Sequence, residues 1–86
     1  MTNLTDLPNI GRTVADKLIE VGIADGETLH RLGSREAFLK LRAVDEGACL
    51  SMLCGLEGAI RGVRWHDLDE ATKRELKAFH TAVRKG

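Results

Sequence analysis

The chain has 86 residues, enough for one domain with a modest hydrophobic core, and we expect residues 1–86 to form a single unit. Thirteen Lys and Arg balance thirteen Asp and Glu, so the chain lacks the basic excess that is typical of nucleic-acid-binding domains. No stretch approaches the ~18 apolar residues of a membrane span, and the first residues do not form a secretion signal, so we expect a cytoplasmic protein without membrane contact.

Apolar residues recur at helical spacing along the chain, and no alternating run indicates a strand. Asp25 and Ser34 are placed to cap helix N-termini, and Gly22, Gly33 and Gly62 to end helices. The sequence therefore predicts an all-α fold, a compact bundle of five or six short helices with a helix-hairpin-helix-like N-terminal half. The helical segments are expected near residues 3–7, 11–21, 27–32, 35–42, 48–61 and 70–84.

The segment 48–61 is apolar on nearly every side, which is typical of a helix at the centre of a bundle. Gly55 and Gly58 lie on one side of it, where a second helix could approach closely. Cys49 and Cys54 are about 140° apart around its axis, so they can neither bridge within the helix nor share a metal ion on one face. We interpret both cysteines as buried free thiols.

Residues 7–11, with the sequence Leu-Pro-Asn-Ile-Gly, form a predicted tight turn that starts a helix. Proline keeps the residue before it out of the helical region, asparagine tolerates a left-handed backbone, and glycine would let the chain bend without a Cβ clash. Unpaired N–H groups at the start of such a helix bind anions, above all phosphate. The candidate phosphate-binding hairpin consists of Asn9, Gly11, Arg12, Thr13 and Lys17. A purely structural turn is the alternative, because two nearby acids, Asp6 and Asp16, weaken the local positive field.

In the last helix, four side chains follow at spacings of four, three and four residues and share one face: Lys73, Lys77, His80 and Arg84. This candidate basic helix face would rest on a phosphate backbone or on an acidic partner. An ordinary solvated face is the alternative.

Three further side chains are interpreted as structural. Glu57 lies in the apolar helix and requires a partner, and Arg61 stands four residues later, at the offset of a salt bridge. Trp65 is expected to pack over the central helix with its indole N–H bonded to a carbonyl. The three histidines fall on different predicted elements, with no Cys or carboxylate at metal-ligand spacing, so we expect no enzyme, metal or cofactor.

The most specific pattern in the chain is the block at residues 56–62, Leu-Glu-Gly-Ala-Ile-Arg-Gly, together with Trp65. In this block and in the turn at residues 7–11, the chain from Leu7 to Leu76 resembles the C-terminal domain of the TfoX (Sxy) competence regulators. Helix-hairpin-helix motifs of repair proteins generally carry Gly where Asn9 stands, whereas TfoX-like domains carry Asn. The remaining matching positions are residues 21–23, 29, 32–33, 68, 73 and 76.

The resemblance implies a small all-α domain related to helix-hairpin-helix and SAM-like folds, without a catalytic role. The family's larger members are linked to the transcription of bacterial DNA-uptake genes beside a DNA-binding activator, and they carry a separate N-terminal domain that we expect a stand-alone form to lack. We expect a regulatory or adaptor domain that acts mainly by protein–protein contact, with a protein partner or a second copy of itself. The alternative is weak, sequence-independent DNA binding through the hairpin at residues 7–11.

Overall fold

The computed structural model describes residues 2–85 and consists, over that range, of five α-helices and two 3-10 turns. The all-α prediction is confirmed, and no strand occurs in this part of the chain. The helices are α1 (Arg12–Glu20), α2 (Gly26–Leu32), α3 (Ser34–Arg42), α4 (Leu50–Arg61) and α5 (Glu70–Lys85), and the 3-10 turns lie at Leu4–Asp6 and Trp65–Asp67.

Helix α4 is the centre of the bundle, as its all-round apolar character predicts. It packs against α2, α3, α5 and the Trp65–Asp67 turn, and its Leu53 and Leu56 are fully buried. The other large, fully buried side chains come from every remaining helix and from the loop after α1: Leu18, Ile23, Leu29, Phe38, Leu41 and Leu76. One continuous apolar core therefore holds all five helices together.

The starts of α2 and α3 show where the predicted helix caps hold and where they fail. Asp25 accepts a hydrogen bond from the Thr28 N–H at 2.8 Å and caps α2, as predicted. The predicted N-cap role of Ser34 is wrong, because Gly33, with φ +87°, occupies the cap and Ser34 is the first residue of α3. The hydroxyl of Ser34 donates instead to Glu57 on α4, so this serine joins two helices.

The interpretation of both cysteines as buried is correct for one of them. Cys54 is buried within α4, and burial raises the pKa of its thiol. Cys49 is exposed, because α4 begins at Leu50 and leaves Cys49 at its N-cap, in an extended conformation outside the helix. No group of three or more His, Cys, Asp or Glu side chains in the described part of the chain could hold a metal ion.

Helix α5 packs against α4 and also contacts α3. Leu76 fixes it to the core, and Arg35 of α3 lies 3.8 Å from Glu75 and 5.8 Å from the centre of the Phe79 ring. The centres of the Phe38 and His80 rings lie 5.8 Å apart. One edge of α5 therefore faces the protein while the opposite edge remains in solvent. No helix within residues 2–85 combines the length and apolar character needed to cross a membrane.

Candidate binding surfaces

The turn before α1 adopts the predicted left-handed conformation at Asn9, whose φ is +69°. Asparagine tolerates this region better than other residues with a side chain. The expectation for Gly11 is wrong, because its φ is −89° and a Cβ added there would meet nothing within 4 Å. Gly11 is the extended N-cap of α1, and within residues 7–11 the left-handed backbone is that of Asn9.

The side chain of Asn9 points into the protein and bonds the chain to itself. Its Nδ2 donates to the carbonyl oxygens of Gly55, at 3.3 Å, and Val63, at 3.0 Å. Its Oδ1 accepts the N–H of Trp65 at 3.1 Å. Asn9, its three hydrogen-bond partners and Gly58 form what we call the Asn9 junction. The junction links the turn before α1 to α4 and to the segment after α4. The sequence did not reveal this role, since only the tertiary fold brings residues 9 and 65 together.

The two glycines of α4 explain how the junction forms. A Cβ on Gly58 would lie 2.6 Å from both the Asn9 Nδ2 and the Val63 carbonyl oxygen, distances that require neighbouring atoms to move. A Cβ on Gly55 would lie 3.4 Å from the Asn9 Cβ, which is ordinary contact. The expectation that a second helix approaches this side of α4 is therefore wrong, because two loops approach it instead.

The candidate phosphate-binding hairpin is divided by the fold into an exposed part and an internal part. Gly11, Arg12 and Thr13 are exposed at the start of α1, where backbone N–H groups are free of a side-chain cap. Lys17 is directed elsewhere, because its Nζ forms a 3.0 Å ion pair with Asp45 in the loop after α3. The Lys17 ammonium, aided by the Gly47 N–H, lowers the pKa of the Asp45 carboxyl. Arg12 is thus the one cation of the predicted set that stands free at the turn.

The candidate basic face of α5 is also divided. Lys77 and Arg84 are exposed as predicted, but Lys73 and His80 are half-buried on the protein side of the helix. The Lys73 ammonium donates to the His66 carbonyl oxygen at 3.1 Å, and His80 packs on Phe38. The exposed cations of α5 are joined instead by Arg74, which the sequence reasoning missed. Arg74 lies three residues before Lys77, and Lys73 lies four residues before it, so both spacings place a cation on a face with Lys77. Considering the spacing of three as well would have found Arg74.

The predicted salt bridge between Glu57 and Arg61 is present, with Nε and Oε2 2.6 Å apart. Burial alone would raise the pKa of Glu57, but the hydrogen bonds from Ser34 and Arg61 outweigh it, and the pKa is lowered. Arg61 also reaches Asp69, 3.5 Å away at the start of α5. This chain of polar contacts joins α3, α4 and α5, which supports the structural role assigned to Glu57.

Trp65 packs against the core beside the Asn9 junction, and its ring stacks on that of His66 with 4.0 Å between the ring centres. Among residues 2–85, no hydrogen bond from the indole N–H to a carbonyl is found. The main-chain N–H of Trp65 makes the anchoring bond instead, to Asn9. Trp65 is therefore held by its backbone, and its ring remains partly exposed.

The chain is similar to known proteins over most of its length. The TfoX C-terminal domain family matches residues 1–80. The chain belongs to this family. Protein Sxy of Escherichia coli (strain K12) is 38% identical to it over 73 residues, which cover 85% of this chain and 35% of Sxy. The chain therefore spans about a third of the length of this relative.

Two solved structures from Listeria monocytogenes share the fold. A triclinic crystal form of an uncharacterized protein is 48% identical, with a TM-score of 0.94 over 96% of this chain and 94% of that chain. A tetragonal form of a protein of unknown function is 49% identical, with a TM-score of 0.91 over 94% of this chain and 99% of that one. The five-helix arrangement is thus a property of more than one chain.

Proposed function

We propose that this chain is a non-enzymatic regulatory domain of the TfoX type that acts by binding another protein. The family membership and the similarity to Sxy support a role like that of a competence regulator. The observation that carries the choice of protein over DNA is the state of the hairpin. Asn9 bonds internally and Lys17 is paired with Asp45, so Arg12 alone offers a side-chain charge to a phosphate there.

The number of cations favours a protein partner over DNA. Affinity for duplex DNA rises with the number of phosphates that Lys and Arg neutralise, and this chain has a net charge of zero. Asp16, one turn from Arg12 on the same exposed side of α1, reduces the local field further. Protein–protein contact needs no such excess of cations.

A chimera tests the regulatory role. The region of E. coli Sxy that matches this chain would be replaced by the chain, and transcripts of Sxy-dependent DNA-uptake genes would be measured in cells. We expect the chimera to restore transcription that a deletion of the same region abolishes. A chimera that accumulates to normal levels but is as inactive as the deletion would contradict the proposal.

The exposed N-terminus of α1 favours one second candidate, backbone contact to DNA through Gly11, Arg12 and Thr13. Fluorescence anisotropy with labelled duplex DNA at several salt concentrations separates the two functions. At physiological salt we expect a Kd no tighter than about 10⁻⁴ M, the weak end of non-specific binding. Micromolar, salt-sensitive binding that Arg12→Glu abolishes for all sequences alike would favour DNA.

A further inference from the structure

One edge of α5 is free of contacts with the rest of the protein. The helix is 16 residues long, and Leu76 is the fully buried side chain through which it is fixed to the core. The opposite edge is exposed, and we call it the outer face of α5. It consists of Arg74, Lys77, Ala78, Thr81, Ala82 and Arg84. The first five of these side chains line an open, shallow surface that no other element borders.

The outer face carries positive charge that the rest of α5 does not compensate. The helix has five basic and two acidic residues. Glu75 is paired with Arg35 and Glu70 with Lys73, so both acids are engaged with other cations. Among the side chains described, no carboxylate lies within 4 Å of the charged groups of Arg74, Lys77 or Arg84. Three like charges therefore stand along one helix edge, although the whole chain is neutral.

The spacing of this face suits a second helix. Positions 74, 77, 81 and 84 follow at steps of three, four and three residues, the spacing at which one helix presents a straight row to another. Ala78 and Ala82 have small side chains beside the row, which would let a neighbouring helix come close. A row of long, flexible cations with alanines along one side of it resembles one half of the seam between paired helices, where charged side chains flank an apolar strip.

We propose that the outer face of α5 binds an acidic amphipathic helix of a partner protein. Carboxylates at every third or fourth position of that helix face Arg74, Lys77 and Arg84, and its small apolar side chains lie on Ala78 and Ala82. The proposal rests on the proposed function, since it gives the protein partner a location and a chemistry.

The observations favour a protein helix over the other occupants. Three cations on a neutral chain give little steering toward a polyanion, and alanines offer a nucleic-acid backbone no hydrogen bonds. A second copy could offer the exposed acids of α1, Asp16 and Glu20. That helix begins with exposed Arg12, which would meet the cations of α5 with like charge.

The test uses a labelled synthetic helix as the probe. A fluorescein-labelled peptide would carry Glu at spacings of three and four residues on one edge, Ala on the adjoining edge, and no basic residue. We expect saturable binding to the purified chain, weakened at least about tenfold by the double variant Arg74→Glu/Lys77→Glu, because two attractions become repulsions. The double variant should in turn bind a peptide with Lys in place of Glu better than the unmodified chain does.

A matched control separates position from charge. Arg31→Glu/Lys40→Glu makes the same change in net charge at exposed positions of α2 and α3. It should leave peptide binding within about twofold, since neither residue belongs to the outer face of α5 and salt weakens the effect of exposed charges outside the contact. Circular dichroism should show both double variants folded, because all four side chains are exposed.

Several results would overturn the proposal. They are an absence of saturable peptide binding, an equal loss in the control variant, or duplex DNA binding more tightly than the peptide through Arg74 and Lys77. Sedimentation that shows self-association through the same two residues would assign the face to a second copy instead. If the Sxy chimera is active and remains so with Arg74→Glu/Lys77→Glu, the surface is wrong while the regulatory function stands.

Discussion

The Asn9 junction and the outer face of α5 are both polar, but their polar groups are used in opposite ways. At the junction, the amide of Asn9 is bonded to two carbonyls and one N–H of the same chain. On α5, Arg74, Lys77 and Arg84 extend into solvent. A bonded, part-buried amide fixes the fold, because leaving its partners unsatisfied is costly. A solvated cation adds little to stability and remains available for binding. A sequence motif that is typical of binding sites can therefore stabilise the fold, while a helix edge without any motif remains available for binding.

The largest expected effect tests whether α5 is held only by its inner edge. Leu76→Ala should destabilise the protein by about 2–5 kcal/mol, because it removes a fully buried side chain and leaves a cavity. Leu39→Ala, at a side chain that is 40% exposed, should cost well under half as much. Urea unfolding of both variants gives the comparison. Similar losses would mean that α5 is not docked through Leu76.

The next effect concerns the close approach at the junction. Gly58→Ala should cost about 1–3 kcal/mol, because the new Cβ would overlap the Asn9 amide and the Val63 carbonyl. Gly55→Ala meets only ordinary contact and gains helix propensity, so it should be close to neutral. Thermal unfolding of the two variants measures the difference. A Gly58→Ala protein as stable as Gly55→Ala would show that the two loops do not press on α4.

A smaller effect depends on pH. The pKa of Glu57 is lowered in the folded protein, so its contribution to stability is complete above the ordinary glutamate value of 4.5 and is lost as the pH falls through the lowered value. Glu57→Gln should cost about 1 kcal/mol at neutral pH. The difference between the variant and the parent should shrink in acid, as chemical unfolding at several pH values would show. A difference that stays constant down to pH values well below 4.5 would remove Glu57 from the acid response.

The smallest effect separates two lysines that the sequence placed on one face. Lys77→Met should change stability by no more than about 0.5 kcal/mol, as is usual for a solvated surface position. Lys73→Met should cost more, because the Lys73 ammonium bonds to the His66 carbonyl and pairs with Glu70. Unfolding curves recorded side by side provide the ranking. The reverse order would place Lys73, not Lys77, on the free edge of α5.

Local chemistry made much of this fold predictable. The helical segments, the Asp25 cap, the central position of α4 and the Glu57–Arg61 pair all depend on residues close in sequence. Some failures are local, such as the conformation of Gly11 and the start of α4 at Leu50, but most depend on contacts between elements. The bonds of Asn9 and the partners of Ser34, Lys17 and Lys73 lie on other elements. The turn before α1 can be predicted from the sequence. Whether the side chains of that turn face inward or outward depends on how the whole chain packs.

The span of the Asn9 junction has a consequence for the order of folding. The hydrogen bond between Asn9 and Trp65 joins residues that are 56 positions apart in a chain of 86, so it closes a large loop. By contrast, only one glycine separates α2 from α3. Closing a long loop costs entropy before its contacts contribute, so we expect the neighbouring helices to associate first and the junction to form late. Asn9→Gly should then accelerate unfolding and leave the refolding rate nearly unchanged in stopped-flow experiments. If the whole loss of stability instead appeared as slower refolding, the junction would be part of the folding nucleus.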